Sequence, residues 1–307
     1  MNKNKFILLS LILSSCFGSV GAFNYGANAK EVALAGSMVS IQNKGFNSFT
    51  NPSFLSNIEK PEWGLSYFRM SLDRSIQAIS YSMPVPPSGG VSLSFLRVGV
   101  NDIRISDNNN NQLGMYNHWE GYGMISFALR FSKMSFGGNL KLFLNQLKKS
   151  DLSDYPARGL GLDIGMNYIV NDRLVLGLTT QNLAANYKWG KTSNKIKEDI
   201  PVLSEIGILF KYSNNLNMST QFDFNENGYD RLRVGTEYLL TETQYPLAIR
   251  FGLKEINNNE ISFRYYGMYL GFGITFKMNN DKTMYIDYAL DPGSMGEGLS
   301  HIFSFSI

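Results

Sequence analysis

Leu299-Ser-His-Ile-Phe-Ser-Phe-Ser-Ile307 keeps a two-residue rhythm. Leu299, Phe303, Phe305 and Ile307 fall on one face of a strand, and Ser300, Ser304 and Ser306 on the other. An apolar strand with a free edge is a template for aggregation unless something pairs with it. Pairing it with the first strand of the same chain would close a barrel and remove the edge.

The same rhythm recurs upstream. Leu247, Ile249, Phe251 and Leu253 alternate with Ala248, Arg250, Gly252 and Lys254. Ile125, Phe127, Leu129 and Phe131 alternate with Met124, Ser126, Ala128 and Arg130. Leu160, Leu162, Ile164 and Met166 alternate with Gly159, Gly161, Asp163, Gly165 and Asn167. With weaker runs, residues 61–307 hold about 14 strands, each near the length that a tilted membrane strand needs. The connections alternate in length. Ser132-Lys133 and Asn279-Asn280-Asp281 are short, whereas 101–118, 146–156, 184–202 and 255–266 read as long loops. Membrane barrels have this parity, with short periplasmic turns and longer external loops, and a soluble β-sandwich has no reason to keep it. The tight Asp73-Arg74 connection breaks the rule.

The two faces separate membrane from water. The polar rows carry Gly, Ser, Asn and single charges of both signs, and Lys141, Asp163, Arg233, Glu237 and Arg250 are the candidate lumen-facing groups. Turned inward they can meet each other or water, while the apolar rows meet lipid. The reverse arrangement, a secreted sandwich with its apolar face inside, is the alternative. Trp63, Trp119, Tyr122, Trp189, Tyr212 and Tyr269 fall near strand ends, where interface girdles sit. The fold class expected is all-β: a transmembrane antiparallel up-and-down barrel whose interior reads polar rather than greasy.

Residues 1–60 differ from the rest. Lys3, Lys5 and the apolar run Phe6–Leu13 read as a secretory signal over 1–22, cleaved after Val20-Gly21-Ala22. The alternative processing treats Leu13-Ser14-Ser15-Cys16 as a lipobox and lipidates Cys16, the only cysteine. Residues 23–60 form a compact plug. Gly26–Gly36 has helical composition with Gly at its end, and Ser37–Gln42 fits a short strand. Asn51 is a good N-cap and Pro52 suits the first helical position of a turn running to Asn57.

Catalytic and metal chemistry finds no support. His118 and His301, the two histidines, lack partners at ligand or triad spacing. Asp107-Asn-Asn-Asn-Asn-Gln112 lacks the Gly and Glu of a calcium loop. A net charge of +3 leaves no nucleic-acid footprint. No enzyme activity, cofactor or metal is expected.

Ala29-Lys-Glu-Val-Ala-Leu-Ala-Gly-Ser37 followed by Asn51-Pro-Ser-Phe-Leu55 resembles the N-terminal pattern of the FadL-like outer-membrane proteins, in particular their PorV/PorQ group. The plug motif would be Asn51, Pro52, Phe54 and Leu55, with Ser53 in place of the usual Ala. The resemblance continues through Gly137-Gly-Asn-Leu-Lys141, Leu176-Gly-Leu-Thr-Thr-Gln-Asn-Leu183 and Arg233-Val-Gly-Thr-Glu-Tyr238. It implies a barrel of the bacterial outer membrane with an internal plug. It also implies one of two roles. PorV/PorQ-type members bind or shuttle exported protein cargo for type IX secretion, with secreted proteins and other secretion components as partners. FadL-type members carry hydrophobic ligands such as long-chain fatty acids. The polar interior rows favour the first.

Overall fold

The computed structural model describes residues 25–70, 73–106, 112–149, 154–189, 196–225, 231–258, 263–278, 282–293 and 298–307. The signal segment 1–22 with Cys16, and most of the polar tip 107–112, lie outside them. The strands are β1 (Glu62–Arg69), β2 (Arg74–Val85), β3 (Gly89–Ser106), β4 (Gln112–Phe131), β5 (Met134–Lys149), β6 (Asp154–Asn171), β7 (Leu174–Trp189), β8 (Ile196–Asp199), β9 (Leu203–Lys211), β10 (Leu216–Asn225), β11 (Arg231–Leu240), β12 (Leu247–Asn258), β13 (Phe263–Lys277), β14 (Thr283–Asp291) and β15 (Ser300–Ser306). Apart from β8, which pairs only with β7, each pairs antiparallel with the next, β7 pairs with both β6 and β9, and β15 returns to β1. The result is a closed 14-strand barrel, with β8 a short flap on the far end of β7.

The closure is the one that the terminal rhythm demanded. Leu65 stands opposite Phe305 and Tyr67 opposite Phe303. Trp63 and Ile307 exchange backbone hydrogen bonds of 2.9 and 3.1 Å. Outward side chains such as Leu65, Leu93, Ile125, Leu160, Met268 and Phe303 are exposed on wall after wall. A continuous apolar belt of that size is costly in water and suited to lipid. The barrel is transmembrane.

The walls differ in height. β3 to β7 hold 16 to 20 residues each, whereas β1, β9, β14 and β15 hold 7 to 9. At about 3.3 Å per residue the tall wall extends well past its neighbours. Much of what the sequence suggests as long loops is therefore strand. β3 and β4 take up most of 101–118, β5 and β6 most of 146–156, and β7 and β8 much of 184–202. A hydrogen-bonded ladder needs no lipid. Beyond the apolar belt the pairing continues while the apolar/polar alternation that reveals it stops.

Inside the barrel lies the segment from Tyr25 to Ile58, almost wholly buried. It holds α1 (Ala29–Ala33), α2 (Asn47–Thr50) and a 3₁₀ helix (Pro52–Asn57). Asn28 caps α1, its Oδ1 accepting the Glu31 N–H at 2.8 Å, and Glu31 reaches back to accept from the Ala27 N–H. Burial pushes the Glu31 carboxyl above its ordinary range, a rise that the Ala27 N–H opposes. At the other end Gly36 N–H bonds Glu31 O and Ala35 N–H bonds Val32 O, with Ala35 left-handed at φ 54°. Ala35 takes the first left-handed position of the cap and the expected Gly36 follows it, also left-handed at φ 78°. Residues 37–42 form turns rather than the expected strand. The cause lies far along the chain: the Met38 and Val39 N–H groups both donate to the Gln221 side-chain oxygen, at 2.9 Å each.

Candidate functional site

The plug is seated by the residues of its Asn-Pro motif. Asn51 Oδ1 caps the 3₁₀ helix by accepting from Ser53 N–H at 3.1 Å, and it also accepts from the Ser53 hydroxyl at 2.6 Å. Asn51 Nδ2 donates to Val39 O at 2.7 Å, inside the plug, and to Met166 O of β6 at 3.1 Å. One side chain thus ties three segments. Pro52 lies against β5 and β6 where they carry Gly137 and Gly165, and a Cβ on Gly165 would come within 2.3 Å of Asn51 Oδ1. Leu55 is fully buried, and Phe54 packs in an apolar group with Leu34, Met38, Ile41, Val175 and Leu209.

The wall from β9 to β14 faces the plug with charge. Arg250 donates to Glu237 Oε2 at 2.7 Å and to Asp287 Oδ1 at 2.6 Å. Glu237 also lies 3.6 Å from Lys30 of α1. Arg233 pairs with Asp223 and reaches the Gly36 carbonyl at 3.3 Å. Gln221, which holds the Met38–Val39 turn, donates to Glu205 at 3.0 Å and to Asp223 at 2.8 Å. Carboxylates and guanidinium groups sunk this deep persist only when paired, and here they are. Arg233, Glu237 and Arg250 are thereby placed in the lumen as parts of the plug's lock.

Lys141 and Asp163 form a second polar cluster, on β5 and β6, with 2.8 Å between them. Asp163 also accepts from Asn139 Nδ2 at 2.8 Å and from the Asn182 N–H at 2.9 Å. The last contact fixes an irregularity: around it β7 slips register twice against β6, a third slip lying at the turn end near Asn171, and Asn182 and Ala184 are left-handed at φ 62° and 53°. Lys141 Nζ also lies 5.0 Å from the centre of the Tyr122 ring.

Toward the far end the tall wall's lumen face also carries a large apolar cluster, beside Glu120 and Asn145, where the sequence suggests a polar interior. Phe46 and Phe49 of the plug begin a chain of rings that continues through Tyr122 (β4), Phe143 (β5), Tyr187 and Trp189 (β7). Successive ring centres are 6.2, 6.3, 5.9, 5.8 and 6.1 Å apart. Leu96, Val98, Met124, Ala157, Ala185 and Ile200 pack around it. Tyr122, Tyr269 and Trp189 therefore belong to this lumen core rather than to a lipid-facing girdle. The signal available in the sequence is Phe143, which breaks the polar row of Asn139, Lys141 and Asn145 on its own strand.

No family model matches this chain, and no curated protein matches it. Solved structures do. A Pseudomonas aeruginosa FadL homologue aligns with a TM-score of 0.65 at 12% identity, over 92% of this chain and 98% of that one. The fold is that of the FadL-like barrels. The toluene transporter TodX of Pseudomonas putida matches this barrel with a TM-score of 0.64 at 12% identity, over 92% of this chain and 97% of that one. The toluene transporter TbuX of Ralstonia pickettii gives 0.60 at 10%, over 92% and 98%.

Proposed function

We propose that this FadL-like barrel is an outer-membrane channel for hydrophobic small molecules, exported by its 1–22 signal and sealed by residues 23–60. The observation that carries the reading is the column of aromatic rings running from Trp189, at the far end of the tall wall, down to Phe49 of the plug. Such a column offers a desolvated path to an apolar solute and rejects ions. Support also comes from the structural neighbours, which include two toluene transporters and a monoaromatic hydrocarbon channel. Cells lacking the gene should take up labelled toluene or labelled fatty acid several-fold more slowly, and complementation should restore the rate. Unchanged uptake of both would sink the proposal.

The second reading, a PorV/PorQ-type partner of exported proteins, rests on the Ala29–Ser37 and Asn51–Leu55 resemblance. The tall wall favours it, since β3–β7 would offer hydrogen-bonding surface to a protein cargo outside the lipid. The same deletion distinguishes it: secreted proteins would accumulate in the periplasm while solute uptake stayed normal.

A further inference from the structure

We infer that the far half of the lumen holds a recognition site for the cationic or hydrogen-bond-donating nitrogen of an apolar amine, an inference that rests on the transport reading above. Register places Val98, Glu120, Asn145, Ala157 and Trp189 side by side across β3 to β7. The next row toward the plug is Leu96, Tyr122, Phe143, Gly159 and Tyr187. Glu120 is 2% exposed, and its carboxylate accepts one hydrogen bond, from Asn145 Nδ2 at 3.3 Å. Among the described residues no Lys or Arg is paired with it. Glu62 also accepts a single bond, from the Gly45 N–H of the plug at 2.9 Å, but the remaining buried lumen carboxylates are better matched. Asp163 has Lys141, Asp223 has Arg233, and Glu237 and Asp287 share Arg250. Glu205 accepts from Thr179, Gln181 and Gln221.

A second, independent group points the same way. Tyr187 is 0% exposed and its hydroxyl has no hydrogen-bond partner among the described residues. Register sets Tyr187 one row nearer the plug than Glu120, three strands round the wall from it. Glu198, partly exposed on β8, accepts the Trp189 indole N–H at 2.8 Å, and His118 meets the other end of the Asn145 amide at 3.1 Å. A buried acid short of donors and a buried phenol with no partner are both groups that a ligand can satisfy. The rings of Tyr122, Phe143, Tyr187 and Trp189 supply the surface for an apolar body and negative faces for a nearby cation. A fatty-acid carboxylate would instead meet Glu120 and Glu198 as like charges.

The test uses three ligands of one shape: 2-phenylethylamine, ethylbenzene and 3-phenylpropanoate. Each is titrated calorimetrically into the purified full-length barrel in detergent micelles. The amine should bind about tenfold more tightly than ethylbenzene, the increment of one charge-assisted hydrogen bond, and the carboxylate more weakly than either. Glu120→Gln should remove the amine's advantage and leave ethylbenzene unchanged. Tyr187→Phe should reduce that advantage a few-fold, and it serves if Glu120→Gln does not fold. Each variant is first checked for the mobility shift between heated and unheated gel samples. Ethylbenzene bound with no preference for the amine overturns this inference and leaves the transport reading standing. Binding of none of the three overturns both.

Discussion

Two walls of one lumen solve opposite problems. From β9 to β14 the interior is ionic, and the matched charges there are tied directly to the plug through Lys30, Gly36 and the Met38–Val39 turn. From β3 to β7 the interior beyond the plug is built round a chain of aromatic rings, and among the described residues it leaves Tyr187 unpartnered and Glu120 with one weak donor. A paired ion cluster is a poor source of net stability compared with packed hydrocarbon, yet it is severe toward any arrangement that breaks it. It therefore suits a part that must sit in one place. Rings that slide past an apolar solute, and polar groups left short of partners, suit a part that must accept something. The contrast teaches that holding and passing are assigned to different strands of the same cylinder.

The contrast can be broken by substitution. Arg250→Ala strips both Glu237 and Asp287 of their guanidinium and should cost about 3–5 kcal/mol, the usual penalty for orphaning buried charge. The urea midpoint of the heat-modifiable gel band reads it, and an unmoved midpoint would show that the ionic wall is slack. Phe143→Ala opens the aromatic column at its middle and should cost about 3 kcal/mol. It should also raise toluene uptake per folded barrel; lowered uptake with normal folding would mean that the ring guides rather than obstructs. Asn51→Ala removes four hydrogen bonds of the plug and should cost about 2 kcal/mol, mostly local. Protease added from the periplasmic side, or single-channel conductance, should reveal a loosened plug, and an unchanged closed state would assign the sealing to the ionic wall alone. Lys197→Ala breaks an exposed pair with Asp199 and should change stability by less than about 0.5 kcal/mol. A larger loss would mean that the β8 flap braces the column.

How much of this was legible in the sequence divides along the same line. Arg250 could be placed in the lumen because Leu247, Ile249, Phe251 and Leu253 mark the lipid side without interruption. The strand count followed from the same alternation. Tyr187 could not be placed, because the two register slips near Asn182 and Ala184 interrupt the alternation just before it and 184–202 reads as a loop, although the two slips together return β7 to its original phase. The tops of β3 and β4 look like loop in the sequence because above the lipid neither face needs to be apolar. Asn28-Ala-Lys-Glu31 carries a capping signal in plain view, whereas the Gln221 contact that turns residues 37–42 away from a strand lies 182 or more residues along the chain. Local chemistry was readable and long-range side-chain capture was not.

The seam between β1 and β15 joins residues 62–69 to residues near 305, so nearly every other strand must be laid down before the cylinder can shut. The segment that ends up inside precedes all of those strands, and its partners Gln221, Arg233 and Glu237 lie on β10 and β11. Assembly therefore resembles building a ship within a bottle whose glass is still open along one side. An early plug has to wait, folded or not, for walls that arrive later, and once the seam closes it is enclosed. Errors in seating are best corrected before that moment, which puts the quality control of this protein at its last strand pairing.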